Sequence, residues 1–399
     1  MRPDVVIVGA GISGLVMAER FSSALKVDVL ILEQRDHLGG NCYDYQDESK
    51  IFVHEYGPHL FHTSKQRVWE YLSQFTTWHE YEHKVLSRVD GKLVPLPFNL
   101  NTLHEVYGDD KARIIERELI LTYGEGAKVS ILELRESENP LIAGLAELVY
   151  SKFFVNYTAK QWGCDPEDIS KEVIGRVPVV ISRDDRYFHD TYQAIPANGY
   201  TAMFKNMAES PKINIEYGVD ATTRLNLLDD GNILFDDEPF PGVVVFTGQL
   251  DALFDFCEGE LAYRSLQFEL EKHDTKFFQP ATTVNYPNEE EFTRITEFKH
   301  ILPADASTTL TVKEFPQDYD RQDPTKNIPY YPMFTKENLE AFSRYEALAA
   351  QFPALIHVGR LAQYRYFNMD DAVDNALLTF EKWVDSDSGQ KDHHHGSER

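Results

Sequence analysis

The 399-residue sequence has few cysteines, no long apolar run and a shortage of positive charge. Its three cysteines, Cys42, Cys164 and Cys257, are far apart and odd in number, which argues against both a metal-binding spacing and a disulfide framework. Because no run of about 18 apolar residues occurs, we expect no membrane insertion. The start of the chain shows no signal-peptide pattern, so a reducing, cytoplasmic location is expected.

Acidic residues outnumber basic residues, 65 to 39, which gives a formal net charge of −26. A phosphate backbone would repel a chain of this charge, so no nucleic-acid partner is expected. A small anionic ligand is compatible with the charge only where arginines cluster locally. The positions of the arginines therefore indicate where such a ligand could bind.

The usual catalytic motifs are also missing. No G-x-S-x-G or H-E-x-x-H pattern occurs, and no cysteine has a clear activating neighbour. His59 and His62 are three residues apart, but further ligands are lacking, so no metal site is expected. The two histidines are then either structural or part of a cofactor site.

The stretch DVVIVGAGISGL is the most informative local pattern. A β-branched strand, Asp4 to Val8, precedes a G-x-G-x-x-G loop formed by Gly9, Gly11 and Gly14. An amphipathic helix follows, and the next strand ends at Glu33, about 20 residues after the last glycine. These features predict a dinucleotide site, with the diphosphate at the helix start and a ribose hydroxyl at Glu33.

The segment after Glu33 bears on which dinucleotide binds. A simple NAD domain would continue directly into another βα unit. Here a second glycine pair, Gly39 and Gly40, follows in a stretch that also contains Arg35, and aromatic and histidine-rich loops come next. This pattern favours a flavin, whose long ring system needs a second close approach of the backbone.

The first domain is interrupted by insertions. GVVVFTGQLD and ALIHVGR predict buried strands that return to the first domain late in the chain. KVLSRVDGKLVPLP predicts a hairpin with its turn at Asp90 and Gly91, and a second hairpin is predicted around Asp230 and Gly231.

Arginines and aromatic residues recur together in several compact clusters. The clusters are NYTAKQWG with Tyr157 and Trp162, GRVPVVISRDDRYFHDTYQ with Arg176, Arg183, Arg186, Tyr187 and Tyr192, EFTRITEFKH with Arg294, NIPYYPMF with Tyr330 and Tyr331, and GRLAQYRYFNMD with Arg360, Arg365 and Tyr366. Each cluster alone is compatible with surface or core packing. Together they offer arginines for a diphosphate and aromatic rings for a nucleobase or sugar.

In order and spacing these motifs resemble those of the prokaryotic UDP-galactopyranose mutase family, a group of flavin-dependent nucleotide-sugar mutases. The resemblance runs through VGAGISGL, GGNCYD, HEYGPHLFHT, LPFNLNT, YTAKQWG, RYFHDTYQAIPANGYT, LAYRSLQFE, TRITEFKH, PYYP and GRLAQYRYFNMD. It implies an α/β fold in which a FAD-binding Rossmann-like domain carries an inserted helical bundle and a twisted antiparallel β-sheet domain. The predicted limits are residues 1–66, 208–257 and 353–386 for the FAD-binding domain, 101–172 for the helical domain, 67–100, 173–207 and 258–352 for the sheet and substrate domain, and 387–399 for a disordered tail.

The resemblance implies an isomerase that interconverts UDP-galactopyranose and UDP-galactofuranose by ring contraction, with no net redox change. In the family, N5 of reduced FAD is the proposed nucleophile at the anomeric carbon, and a covalent flavin–sugar adduct forms as UDP leaves. NAD(P)H or another external reductant would reduce the FAD. A cofactor that carries the chemistry fits the lack of a protein nucleophile. The implied partner is a UDP-sugar, and the implied assembly is a homodimer.

The resemblance also assigns site residues. The residues expected at the reacting centre are Arg176, Arg294, His62 and Arg360. The expected substrate-binding residues are His59, Phe153, Phe154, Tyr157, Trp162, Arg176, Tyr187, Asn285, Arg294, Tyr330, Tyr331, Tyr366 and Asn368. The expected cofactor-binding residues are Gly9, Gly11, Ile12, Ser13, Gly14, Glu33, Gln34, Gly40, Asn41, His59, Gly359, Arg360, Met369 and Asp370. Within the substrate set, Tyr157 is expected to stack on uracil, with Phe153 and Phe154 nearby.

Two positions depart from the family pattern. Asn368 stands where several members have aspartate, and Gly175 stands where many have lysine. Members that accept other sugars differ near Gly175 and His59, so a mutase for UDP-N-acetylgalactosamine or dTDP-fucose stays open, although His59 favours galactose. Two alternatives come from other classes: an amine-oxidase-like flavin oxidoreductase, which shares the glycine pattern, and a non-catalytic nucleotide-binding module.

Overall fold

A five-stranded parallel sheet lies at the centre of the computed structural model, which describes residues 2–163 and 178–394. The strand order is Ile213–Tyr217, Val29–Glu33, Val5–Val8, Val243–Phe246 and Leu355–His357. All four pairings are parallel. The sheet therefore collects strands from distant parts of the chain, which confirms the predicted return of GVVVFTGQLD and ALIHVGR.

Apolar residues on both faces explain why this sheet is central. Val6 and Ile7 are fully buried, and Val29–Glu33 is buried at every position, as expected for a parallel strand that helices cover on both sides. One face packs on the helix Ile12–Ala24, which in turn contacts the last helix, Met369–His394. The other face contacts the helix Lys336–Ala349.

The predicted helical insertion is present as a separate layer with its own core. Its helices are Leu100–Tyr107, Asp109–Tyr123, Ile131–Arg135, Pro140–Val149, the π-helical segment Tyr150–Val155 and Asn156–Trp162. Side chains cap three of the helix starts, at Asn99, Ser130 and Asn139. Leu103, Ile131 and Leu145 are among the residues fully buried in this layer.

A seven-stranded sheet forms the third part of the fold. Its strand order is Tyr331–Pro332, Tyr263–His273, Thr309–Asp318, Arg294–Glu297, Thr283–Asn285, Val85–Val89 and Lys92–Leu96. All its pairings are antiparallel except the one between Thr283–Asn285 and Val85–Val89. The predicted hairpin turn is confirmed, since Asp90 and Gly91 both have positive φ, as a two-residue turn requires.

Smaller elements complete the structure. The remaining strands are Asp44–Gln46, Phe52–His54, Phe61–Thr63, Trp78–Glu80, Lys128–Val129, Val179–Val180, Tyr192–Pro196, Leu225–Leu227, Ile233–Phe235 and Glu238–Pro239. The remaining helices are Gln66–Leu72, Tyr200–Met207 and Leu250–Leu253, with 3₁₀ turns at Gly40–Cys42, Ala221–Thr223 and Phe298–His300. The second predicted hairpin is present between Leu225–Leu227 and Ile233–Phe235. Among the described helices, none is long and apolar enough to cross a bilayer.

Candidate active site

A cavity of about 1230 Å³ opens at the carboxyl ends of the parallel strands. The first glycine loop forms one wall, and its geometry explains two of the three glycines. A Cβ on Gly9, which has a φ of 98°, would lie 2.3 Å from Thr247 Oγ1, and a Cβ on Gly14 would lie 2.0 Å from the Gly9 carbonyl oxygen. Both positions therefore exclude a side chain through contacts within the chain.

Gly11 differs from these two glycines. A Cβ there would meet no atom of the chain closer than 3.9 Å, at Gly40 Cα, so internal packing does not require a glycine. Gly11 lines the cavity and directly precedes the helix Ile12–Ala24, whose start has no side-chain cap. An anionic group can thus approach the backbone and the helix N-terminus at this point, and the residues present fit a dinucleotide diphosphate.

The second glycine pair packs directly on the first loop. Gly11 and Gly39 form an isolated parallel β-bridge, and a Cβ on Gly40 would lie only 3.0 Å from Gly11 Cα. Gly39 and Gly40 both have positive φ. The two backbone segments therefore form one continuous wall, as the sequence predicts for a long cofactor.

Glu33 is buried at the end of its strand. Its carboxylate accepts hydrogen bonds from the Ala10 N–H at 2.6 Å and from the Arg35 N–H at 2.9 Å. These bonds fix the side chain beside the glycine loop. Each oxygen retains acceptor capacity, because a carboxylate oxygen carries two lone pairs.

Arg35 and Tyr56 face the same part of the cavity. The Arg35 guanidinium lies over the Tyr56 ring, 4.1 Å from its centroid, and donates to Asn41 Oδ1 at 2.8 Å. Arg35 Nη1 is buried and has no hydrogen-bond partner among the described residues. These contacts place a delocalised cation at the cavity wall, where it can contact a nucleotide.

Arg360 lies between the cavity and a group of tyrosines. It donates hydrogen bonds to the Phe367 carbonyl at 2.6 Å and to the Tyr330 carbonyl at 3.2 Å. Its guanidinium also lies 5.9 Å from the Tyr331 ring centroid and 5.4 Å from that of Tyr366. Because it bonds both segments, Arg360 ties the end of the parallel sheet to the edge of the seven-stranded sheet.

Arg294 lies in a cross-strand row of the seven-stranded sheet. It pairs directly with Asn285 on one side and with Glu314 on the other. Arg294 Nε donates to Glu314 Oε1 at 2.6 Å, and the Glu314 side chain is only 1% exposed while that of Arg294 is 30% exposed. The buried carboxylate thus fixes the guanidinium while leaving part of it accessible.

Three further aromatic residues lie around Arg294. Trp162, at the end of the helix Asn156–Trp162, has its ring centroid 6.3 Å from that of Tyr331. Burial raises the pKa of Tyr157 and of Tyr187, and the nearby Arg294 guanidinium acts in the opposite direction on both. Both hydroxyls therefore stay protonated near neutral pH and can donate hydrogen bonds to an anion.

The histidines occupy two different environments. His59 lines the cavity with its Nδ1 2.9 Å from the Gly57 carbonyl oxygen, and burial lowers its pKa to about 3. His62 stacks on Phe188 with centroids 3.6 Å apart, and its Nδ1 lies 2.9 Å from Asp190 Oδ2. Burial also lowers the pKa of His83 to about 3.

The comparisons with known proteins agree with this geometry. A family profile described as UDP-galactopyranose mutase matches residues 152–366, and one described as an NAD(P)-binding Rossmann-like domain matches residues 7–75. A UDP-galactopyranose mutase from Mycoplasma genitalium is 35% identical over 95% of this chain and 93% of its own. The chain belongs to the UDP-galactopyranose mutase family.

A second relative and a solved structure show comparable similarity over nearly the whole chain. A dTDP-fucopyranose mutase from Escherichia coli is 33% identical over 94% of this chain and 96% of its own. The crystal structure of a reduced UDP-galactopyranose mutase superposes with a TM-score of 0.73 at 17% identity, covering 96% of this chain and 94% of that chain. The chain is thus an isomerase of the mutase type that depends on FAD, and the cavity is the candidate site for this cofactor.

Most of the predicted cofactor residues of this mutase line the cavity. They are Gly9, Gly11, Ile12, Ser13, Glu33, Gln34, Gly40, Asn41, His59, Gly359, Arg360 and Met369. Gly14 packs against the Gly9 carbonyl instead. Asp370 is buried and accepts a hydrogen bond from Thr63 Oγ1 at 2.9 Å, so its role in the structure is to fix the start of the last helix.

The predicted substrate residues are only partly brought together. Those around the two arginines are Tyr157, Trp162, Tyr187, Asn285, Tyr331 and Tyr366. Asn368 lines the cavity, and Tyr330 is buried with its hydroxyl unpartnered among the described residues. Phe153 and Phe154 are buried in the core of the helical layer, and their proximity to the nucleobase stays a prediction. Arg176 and Gly175 lie outside the described residues.

Sequence reasoning assigned no role to several residues of the site. Glu314 is adjacent to Arg294 only because of strand register, and Tyr56 meets Arg35 only through the fold. His83 lies close enough to Arg294 and His62 for their charges to lower its pKa further. Among the site residues without an assigned role, the sequence drew attention only to Arg35, because it lies in the same stretch as the glycine pair Gly39 and Gly40.

Proposed function

We propose that this mutase interconverts the pyranose and furanose forms of UDP-galactose. The observation that carries the proposal is that Arg294 and Arg360 both lie near Tyr331, while Arg360 also lines the candidate FAD cavity. A nucleotide diphosphate needs such cations in a chain of −26 net charge.

The described residues give the diphosphate a defined environment. Arg294 is fixed by Glu314, and Arg360 is fixed by two carbonyl groups, so neither guanidinium has to reorganise when the substrate binds. Burial raises the pKa of Tyr331 to about 12, which keeps its hydroxyl available as a hydrogen-bond donor. Together these groups stabilise the negative charge that develops as UDP leaves the sugar. Arg176 stays a prediction as a further ligand of the diphosphate.

When bound and reduced, FAD supplies the nucleophile for the anomeric carbon, so the reaction has no net redox change. The chain binds and orients the sugar and shields it from water. His59 is held neutral by burial and can contact the sugar as a hydrogen-bond partner without adding charge. We expect NAD(P)H or another external reductant, a cytoplasmic location and a homodimer as part of the same proposal.

A related nucleotide sugar is the second candidate. The chain is 33% identical to the E. coli dTDP-fucopyranose mutase, which is nearly as high as its 35% identity to the M. genitalium UDP-galactopyranose mutase. UDP-N-acetylgalactosamine remains a further possibility because of Gly175. An amine-oxidase-like reaction fits less well, since it gives no reason for arginines that bind a diphosphate.

An anaerobic assay distinguishes these candidates. Purified protein loaded with FAD is reduced with dithionite or NAD(P)H and incubated with UDP-galactose, UDP-N-acetylgalactosamine or dTDP-fucose. We expect the furanose form of UDP-galactose, and only with reduced enzyme. Faster turnover of another sugar would reassign the substrate, and undiminished activity with fully oxidised enzyme would remove the proposed role of the flavin.

A further inference from the structure

The helix Asn156–Trp162 carries Tyr157, which lies near Arg294, and Trp162, which lies near Tyr331. None of the residues of this helix is fully buried. A short helix whose side chains are only partly buried gains limited hydrophobic stabilisation from its own residues. The buried Phe153 and Phe154 of the preceding π-helical segment anchor its start, and polar contacts with neighbouring segments hold its end.

Lys160 makes the most extensive of these contacts. Its ammonium group donates to three backbone carbonyls of one loop, those of Tyr286 at 2.6 Å, Glu290 at 2.9 Å and Phe292 at 3.3 Å. This number equals the donor capacity of an ammonium group. Burial lowers the pKa of Lys160, with the Glu290 carboxylate acting in the opposite direction. The loop joins the strands that carry Asn285 and Arg294.

Arg264 holds the same C-terminal part of the helix from the side of the sheet. It is 4% exposed, donates from Nε to the Gln161 carbonyl at 3.2 Å and pairs with Asp318. A Cβ on Gly163 would lie 2.5 Å from Arg264 Nη1, so the helix end and the guanidinium are in close contact. Arg264 is also the direct cross-strand partner of Tyr331.

We propose that Lys160 and Arg264 are positioning residues that hold Tyr157 and Trp162 against the Arg294 and Tyr331 side of the site, and so set the affinity for the uridine nucleotide. Lys160 connects the helix to the loop between the strands of Asn285 and Arg294, and Arg264 connects it to the strand that pairs with Tyr331. The helix and the sheet therefore move as one unit at this point. The inference rests on the proposed nucleotide-sugar substrate.

The test measures UDP binding to oxidised, FAD-loaded enzyme by calorimetry, so that no turnover is needed. The variant Lys160→Met keeps the aliphatic stem and removes the three donors. We expect the Kd for UDP to rise by about tenfold, since hydrogen bonds to a charged group are lost and the helix can shift. FAD content should stay as in wild type, because Lys160 is not a cavity residue.

Lys152→Met is the matched control. Lys152 lies on the preceding π-helical segment, and its ammonium group makes an exposed ion pair with Asp90 at 2.8 Å. An exposed pair of this kind contributes little. Its loss should leave the Kd for UDP within about twofold of wild type.

A double-mutant cycle separates positioning from a general structural role. If Lys160 acts through Tyr157, then Lys160→Met should change UDP affinity much less in a Tyr157→Ala background than in wild type. Additive effects would overturn the proposal. So would an unchanged Kd in Lys160→Met alone.

A second variant and the wild-type binding measurement cover two other outcomes of the experiment. Should Lys160→Met fail to fold, Arg264→Lys tests the same idea through the second cation, because lysine keeps the charge but loses the planar fork. We expect a several-fold rise in the UDP Kd there, and an unchanged value would contradict the proposal. If wild-type enzyme itself does not bind UDP, the proposed function fails, which is a distinguishable result.

Discussion

Arg294 Nε lies 2.6 Å from Glu314 Oε1, and the two residues are direct neighbours on adjacent antiparallel strands. The Glu314 carboxylate is buried, and the Arg294 guanidinium beside it compensates the cost of burying a charged group. Strand register therefore fixes the direction of the guanidinium that faces the proposed diphosphate.

Replacing Arg294 by Ala should remove stabilisation of the departing diphosphate. By analogy with donors in oxyanion sites, the loss in kcat/KM corresponds to about 2–4 kcal/mol. Glu314→Gln should retain the shape of the pair and lose less activity. Steady-state kinetics with reduced enzyme measures both, and wild-type rates in Arg294→Ala would remove the residue from the mechanism.

Gly11→Ala should weaken FAD binding without unfolding the protein. The added methyl group would be in ordinary contact with the chain, 3.9 Å from Gly40 Cα, but it would occupy the space next to the diphosphate. We expect purified protein with a lower FAD content and a near-normal melting temperature of the apoprotein. The control is Gly144→Ala, at a helical position with open space around it, which should leave FAD content unchanged and stabilise slightly.

The variant Arg360→Lys tests whether the enzyme needs only the positive charge of Arg360 or also its planar hydrogen-bonding geometry. Lysine retains the positive charge but cannot bond the Tyr330 and Phe367 carbonyls as a planar fork. We expect FAD to remain bound and turnover to fall by about tenfold or more, by analogy with other losses of precise positioning. Absorption of the bound flavin and kcat, measured on the same sample, check the two parts.

Buried neutral histidines predict a loss of stability in mild acid. His59 and His83 have pKa values lowered by burial from 6.5 to about 3. Below pH 6.5 the unfolded chain takes up protons at these positions and the folded chain does not, so the free energy of unfolding decreases as the pH falls towards 3. Between pH 7 and 5 the melting temperature of wild type should fall more steeply than that of His83→Gln.

The test compares how steeply the melting temperature falls with pH in wild type and in His83→Gln. Asp44, Asp251 and Asp370 have pKa values raised by burial, so they act in the opposite direction as the pH falls. They act equally in wild type and variant. Identical slopes would contradict a buried, neutral His83.

The sequence predicted those features that depend on neighbours along the chain. The glycine loop, Glu33 at its strand end and the Asp90–Gly91 turn follow from local backbone requirements, and all are present. The cross-strand pair of Arg294 and Glu314 depends on register between strands about 20 residues apart, which periodicity does not specify.

Burial accounts for a further difference. The resemblance places Phe153 and Phe154 near the uracil-stacking Tyr157. The π-helical segment that carries them turns both rings into the helical core, and their proximity to a nucleobase stays a prediction. Sequence proximity to Tyr157 did not predict the side on which these rings lie. The three carbonyls around Lys160 were equally unpredictable, because they come from a loop more than 120 residues away.

The walls of the cofactor cavity come from four separate stretches, within residues 8–59, 219–256, 319–329 and 359–372. A molecule that spans the cavity and contacts all four would be weakened by local unfolding of any one of them. If FAD occupies this cavity as proposed, its binding is coupled to the folding of all four stretches, so part of its binding free energy appears as resistance to unfolding. The proposed site would make the cofactor a non-covalent crosslink between the beginning and the end of the polypeptide.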